Sequence, residues 1–114
     1  IVRMRDEAAG MKARFLLASI PIAIQANPDA KVRDKFRREL GADDLLYPEN
    51  RLRALAGKDK IDVVLLAPSF QSYAEQNRIY LHGFKNTALG SGHLNENGHR
   101  LAGELISEGI CRSR

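Results

Sequence analysis

Apolar positions in residues 1–13 recur at helical spacing, with Ile1, Met4, Ala8 and Met11 on one side and the charges on the other. The following stretch, RFLLASIPIAIQ, abandons that period. Phe15, Leu16, Leu17, Ile20, Ile22 and Ile24 make a nearly continuous apolar run, the pattern of a strand covered on both faces of a parallel sheet. Pro21 has no N–H to give a neighbouring strand, so regular pairing is expected to end there, and the predicted strand covers residues 14–20. Helical spacing returns in NPDAKVRDKFRREL. Val32, Phe36 and Leu40 step by four along one face, Asn27 is placed to cap the start, Pro28 suits the first turn and Gly41 the end. A short helix is predicted from Pro48, with Leu52 and Leu55 facing inward and Gly57 closing it.

IDVVLLAP is the second apolar run, rich in β-branched residues, and predicts a strand over residues 61–66 that is also covered on both faces. SFQSYAEQNRIYLHGF reads as a helix capped by Ser69, and KNTALGSG as a loop. Asn95 then caps a last helix whose Leu101, Ala102, Leu105 and Ile106 form one apolar stripe. This order predicts an α/β fold, a parallel sheet flanked by helices. Residues 14–20 and 61–66 are expected to be adjacent or near-adjacent parallel strands, because helices separate them and supply the crossover. Two strands are few for such a sheet, so an edge is expected to be exposed or covered by a partner.

Composition narrows the function classes. The formal charge is +4 and the isoelectric point about 9.5, yet acids interleave with the Lys and Arg residues along the chain. There is no basic run and no platform of basic and aromatic residues, so nucleic acid is not the expected partner. The single cysteine, Cys111, excludes an internal disulfide and leaves the compartment open. No apolar run approaches the ~18–20 residues of a membrane span, and the first ten residues hold no signal-peptide core. The chain begins with Ile, from which a piece of a longer protein is expected.

The candidate chemistry lies in GSGHLNENGHR, residues 90–100, with two of the three histidines. His93 precedes the expected cap Asn95, in a loop reached from a buried strand. Loops at the C-terminal ends of parallel strands line the ligand crevice of open α/β sheets, where a histidine can serve as general base. Taken alone, the ordinary loop residue is the stronger reading. A zinc site from His82, His93 and His99 lacks a fourth ligand. Six residues along a helix turn through about 240°, which would set His93 and His99 on different faces. Neither a metal nor a cofactor is expected.

GHLNENGHRLAGELI, preceded by FLLASIPIAIQ and IDVVLLAPSF, resembles the C-terminal half of the SGNH (GDSL-like) hydrolases. Gly92, His93, Leu94, Asn95, Gly98 and His99 match that family's last sequence block in order and spacing, and Leu101 and Ala102 continue into its final helix. The resemblance implies a three-layer, flavodoxin-like α/β sandwich of which residues 1–114 are the C-terminal part. It implies that His93 is the general base of a serine ester hydrolase or acyl transferase and that His99 is structural.

Two departures separate the sequence from that family's pattern. Ser91 stands where the family's acid is expected, and a serine cannot balance the charge of an imidazolium. Ser19, Ser69, Ser72 and Ser107 match no Gly-Asp-Ser-Leu-like block, and none stands in a Gly-x-Ser-x-Gly elbow. The expected partners are therefore a small acyl ester and an N-terminal remainder of the domain, or another chain, that carries the nucleophile. The alternative is a catalytically silent SGNH-like domain kept for binding or assembly. A third reading is a small basic α/β binding module unrelated to the family.

Overall fold

The computed structural model describes residues 1–112. Their elements, in order, are α1 (Val2–Gly10), β1 (Leu16–Ser19), α2 (Ala30–Leu40), α3 (Tyr47–Asp59), β2 (Asp62–Leu65), α4 (Leu66–Asn77) and α5 (Glu96–Arg112). β1 and β2 pair in parallel, Leu16 opposite Asp62 and Ser19 opposite Leu65, with α2 and α3 in the crossover between them. The class is α/β, and the two apolar runs are the two strands. Each strand has one edge without a neighbouring strand among the described residues.

Both strands are shorter than the apolar runs. β1 stops ahead of Pro21, and the chain turns at once, the Gln25 side chain accepting from the Ile22 amide at 3.0 Å. β2 passes without a loop into α4. The expectation that Ser69 caps this helix fails for a packing reason: Leu66 and Ala67 are fully buried and already helical, so the helix begins where the core begins. Leu65 holds the N-cap position, Pro68 sits in the first turn where an N–H has no intrahelical acceptor, and Ser69 is an exposed residue inside the helix.

Burial is one-sided. All four residues of β1 are half-buried rather than covered on both faces, because a two-stranded sheet offers too little surface for helices to close over it. The core lies where β2, α4 and α5 meet. Leu66, Phe70 and Leu81 are wholly buried there with Ala74, Leu94, Leu101 and Ala102, while Val64, Leu105 and Ile106 pack against them. Each large side chain buried in this way contributes about 1.5–3 kcal/mol. The stripe expected on the last helix is thus the face that meets the core. At Gly109 a Cβ would run into the Val64 side chain, so α5 lies directly on β2.

α2 is differently placed from its pattern. Gly41 ends it in the left-handed conformation (φ 67°), as expected. Its N-cap is Asp29, which accepts from the Lys31 amide at 2.8 Å, while Asn27 makes the preceding turn by accepting from the Asp29 amide at 2.9 Å. Val32, Phe36 and Leu40 are exposed, and the residue turned inward is Arg33. The Arg33 guanidinium donates to the Asn27 carbonyl and pairs with Glu75 of α4 at 2.6 Å, which fixes the rotation of α2 by charge rather than by its apolar stripe.

α3 carries Pro48 in its first turn but runs past Gly57 to Asp59. It ends at Lys60 (φ 53°), because burying Ile61 at the entry to β2 places the chain reversal there, the Ile61 amide donating to the Ala56 carbonyl at 2.9 Å. α1 forms as predicted and buries no residue; Met4 and Met11 are exposed.

Candidate functional site

The segment carrying His93 is held by backbone pairing with residues 81–83. The Gly83 amide donates to the His93 carbonyl at 2.9 Å and the Asn95 amide to the Leu81 carbonyl at 3.0 Å, an antiparallel bridge centred on His82 and Leu94. Asn95 completes the clamp. Its Oδ1 accepts from the Gly98 amide at 3.0 Å, which caps α5 as the sequence predicts, and its Nδ2 donates to the carbonyls of Tyr80 at 2.8 Å and Gly83 at 3.2 Å.

Two glycines of the motif have geometric reasons. Gly92 has φ 74°, which strains a residue bearing a Cβ. At Gly98 a Cβ would clash with the Leu81 carbonyl oxygen, so only glycine lets α5 approach the bridge.

This scaffold presents the His93 side chain, exposed, to an open cavity of about 580 Å³. One wall is Ile20 to Ala23, the residues that directly follow β1, so the cavity lies at the C-terminal end of that strand. The other wall holds His82, His93, Leu94 and His99. His99, expected to face away from His93, borders the same space. The helical angle does not govern the pair, since α5 begins only at Glu96 and His93 lies ahead of it. Among the described residues no group of three or more His, Cys, Asp or Glu is arranged to hold a metal ion.

The three histidines differ in surroundings. His93 and His99 are exposed, and the His93 ring makes no hydrogen bond among the described residues. Ser91, where the resemblance would expect an acid, is exposed; its amide donates to the Ala88 carbonyl at 3.2 Å and its hydroxyl does not engage His93. His82 is buried, with its Nε2 3.1 Å from the Pro21 carbonyl oxygen. A carbonyl only accepts, so Nε2 carries the proton and Nδ1 keeps its lone pair. That Nδ1 is buried with no partner among the described residues. Burial holds the His82 pKa below its ordinary value, and the hydrogen bond to Pro21 opposes this only in part.

None of the serines weighed as nucleophiles borders the cavity. Ser19 ends β1, but its hydroxyl is buried and without a partner. Ser69 and Ser72 are exposed on α4 and Ser107 on α5. No family model, no curated protein and no solved structure matches the chain.

His82 is the site residue that sequence reasoning passed over, considered there only as a zinc ligand. The one signal is its place in LHG, a lone polar side chain between two residues that the structure buries. A lone histidine in such a run has no distinguishing pattern.

Proposed function

We propose that the chain is the general-base part of an SGNH-like serine ester hydrolase or acyl transferase, within a three-layer, flavodoxin-like domain completed by an N-terminal remainder or another chain. The observation that carries the reading is the placement of an exposed, unengaged imidazole, His93, facing a cavity at the C-terminal end of a parallel strand. Among the described residues neither β1 nor β2 has a second strand neighbour, which is compatible with further strands of the same sheet.

In this reading a serine supplied from outside the chain attacks the ester carbonyl as His93 takes its proton. Backbone amides hold the resulting oxyanion, and the imidazolium returns the proton to the leaving alcohol. Water or an acceptor alcohol then releases the acyl group with His93 again as base. With Ser91 in the acid's place no carboxylate of this chain borders the cavity to compensate the imidazolium, and a slower reaction than that of a full triad follows unless the completing part supplies an acid.

The catalytically silent domain is the second reading, favoured by the absence, among the described residues, of any hydroxyl or carboxylate bonded to the His93 ring. One experiment separates the two. The complete protein is assayed on short-chain chromogenic esters as wild type, His93→Ala, His99→Ala and Ser91→Asp. Loss of about 10³-fold or more in kcat for His93→Ala, a gain for Ser91→Asp and an effect of His99→Ala mainly on stability are expected. Turnover unchanged by His93→Ala removes the hydrolase reading and leaves the silent domain. The 114-residue chain alone is expected to be inactive; hydrolysis by it that Ser69→Ala abolishes would place the nucleophile in this chain after all.

A further inference from the structure

We infer that His82 is a positioning residue for His93: its buried ring ties the turn after β1 to the strand-like bridge that carries His93, and so sets the width of the cavity between them. The inference rests on the reading of His93 as the general base. The connection runs through consecutive bonds. The His82 side chain donates through Nε2 to the Pro21 carbonyl at 3.1 Å, across 61 positions of sequence. Its own carbonyl accepts from the Gly90 amide at 2.9 Å, which folds the glycine-rich loop back over it. Its backbone bridges Leu94, the neighbour of His93.

Pro21 is itself buried, so the accepting carbonyl belongs to a fixed point and not to the exposed isoleucines on either side. Among the contacts of the described residues, this is the only hydrogen bond between the segment 20–23 and the segment 80–95. The two cavity walls are otherwise held by packing alone.

The bond has a direction that suits the task. Pro21 offers only an acceptor, so the ring must donate from Nε2, and one tautomer and one ring orientation follow. The titratable groups bordering the cavity are His82, His93 and His99, with no carboxylate among them to hold an imidazolium at position 82. A neutral, donating His82 is therefore committed to Pro21, and His93 and His99 remain as the exposed rings that border the cavity. A shift of about 1 Å in a catalytic group costs on the order of a hundredfold in rate, so a bond that sets the spacing of the walls has a kinetic consequence.

The test uses two variants and two readouts. His82→Ala removes the donor, and His82→Gln keeps an amide N–H at nearly the position of Nε2. In the uniformly ¹⁵N-labelled 114-residue chain, NMR is expected to show His82 protonated on Nε2. His82→Ala should move the ring signals of His93 and the amide signals of Ile22 and Ala23 while those of α4 stay in place, and His82→Gln should restore them.

In the complete protein, His82→Ala should lower kcat about tenfold to a hundredfold with KM nearly unchanged, and His82→Gln should recover most of it. If His82→Ala unfolds, the tautomer and the His82→Gln spectrum decide. Nδ1 protonation, or His93 signals that ignore the loss of the His82 ring, overturns the positioning role. A complete protein in which His93→Ala has no effect overturns the hydrolase reading instead, while the NMR result still decides whether His82 places His93.

Discussion

Asn95 shows how much one side chain decides in this fold. It caps α5 through Oδ1 and closes the 80–83 segment through Nδ2, so the position needs an acceptor and a donor on one short side chain. Asp would keep the cap and lose both donors; Ser has a single O–H on a shorter side chain and cannot cap α5 and donate to two carbonyls at once. His82, one bridge away, adds a pH-dependent term. Its pKa is lowered by burial, so the folded state binds a proton less readily than the unfolded chain, whose imidazole titrates near 6.5.

Stability therefore rises with pH wherever the unfolded state holds the extra proton. His82's contribution is complete above about pH 6.5 and is lost as the pH falls from there through the folded pKa. Unfolding free energies from urea titrations between pH 7.5 and 5 are expected to fall by no more than about 1.4 kcal/mol per pH unit from this one group, before the carboxylates titrate. His82→Gln should flatten the slope; an unchanged slope means that His82 is not its source.

At the scale of elements, amphipathic pattern and burial part company. The strands were legible because a near-continuous apolar run has few other uses in a chain of this length, and the helix ends at Gly41 and Asn95 were legible because left-handed and capping positions are chemically narrow. The rotation of α2 was not. Val32, Phe36 and Leu40 declare an apolar face, but a stripe says only which side prefers cover, not that cover exists, and the Arg33–Glu75 pair fixed α2 the other way. His82's role was equally illegible, since Pro21 reaches it only once the fold has brought together residues 61 positions apart.

This separation is measurable. Leu40 is 64% exposed and Phe70 is 0% exposed, so Leu40→Ala should change the stability of this chain by no more than about 0.5 kcal/mol and Phe70→Ala should cost about 3–5 kcal/mol. Comparable losses in denaturant titrations would mean that α2 packs through its apolar stripe.

For the whole molecule, the radius of gyration is 15.6 Å, against about 13 Å for a compact domain of this length, and the extents are 44 × 31 × 22 Å. The excess has identifiable sources. α1 buries none of its residues, α2 turns its apolar stripe outward, and among the described residues the sheet has two strands, each with one edge lacking a strand neighbour. Cohesion is concentrated in the β2–α4–α5 unit, which carries most of the core and also the bridge that holds His93. Local opening costs least where few apolar contacts are broken, so amide exchange should divide the chain sharply.

Amides of α1 are expected to exchange almost as fast as an unfolded peptide, those of α2 at intermediate rates, and those of α4 and the middle of α5 only through global unfolding. Hydrogen-exchange mass spectrometry on the 114-residue chain checks this. In the complete protein of the proposed reading, new strands beside β1 and β2 should slow exchange at Leu16–Ser19 and Asp62–Leu65 far more than at α4, which is already sealed. Protection spread evenly over all elements of the isolated chain would show a self-sufficient fold, and with it the case for a completing segment would fall, because the edges would then need no further strand to be stable.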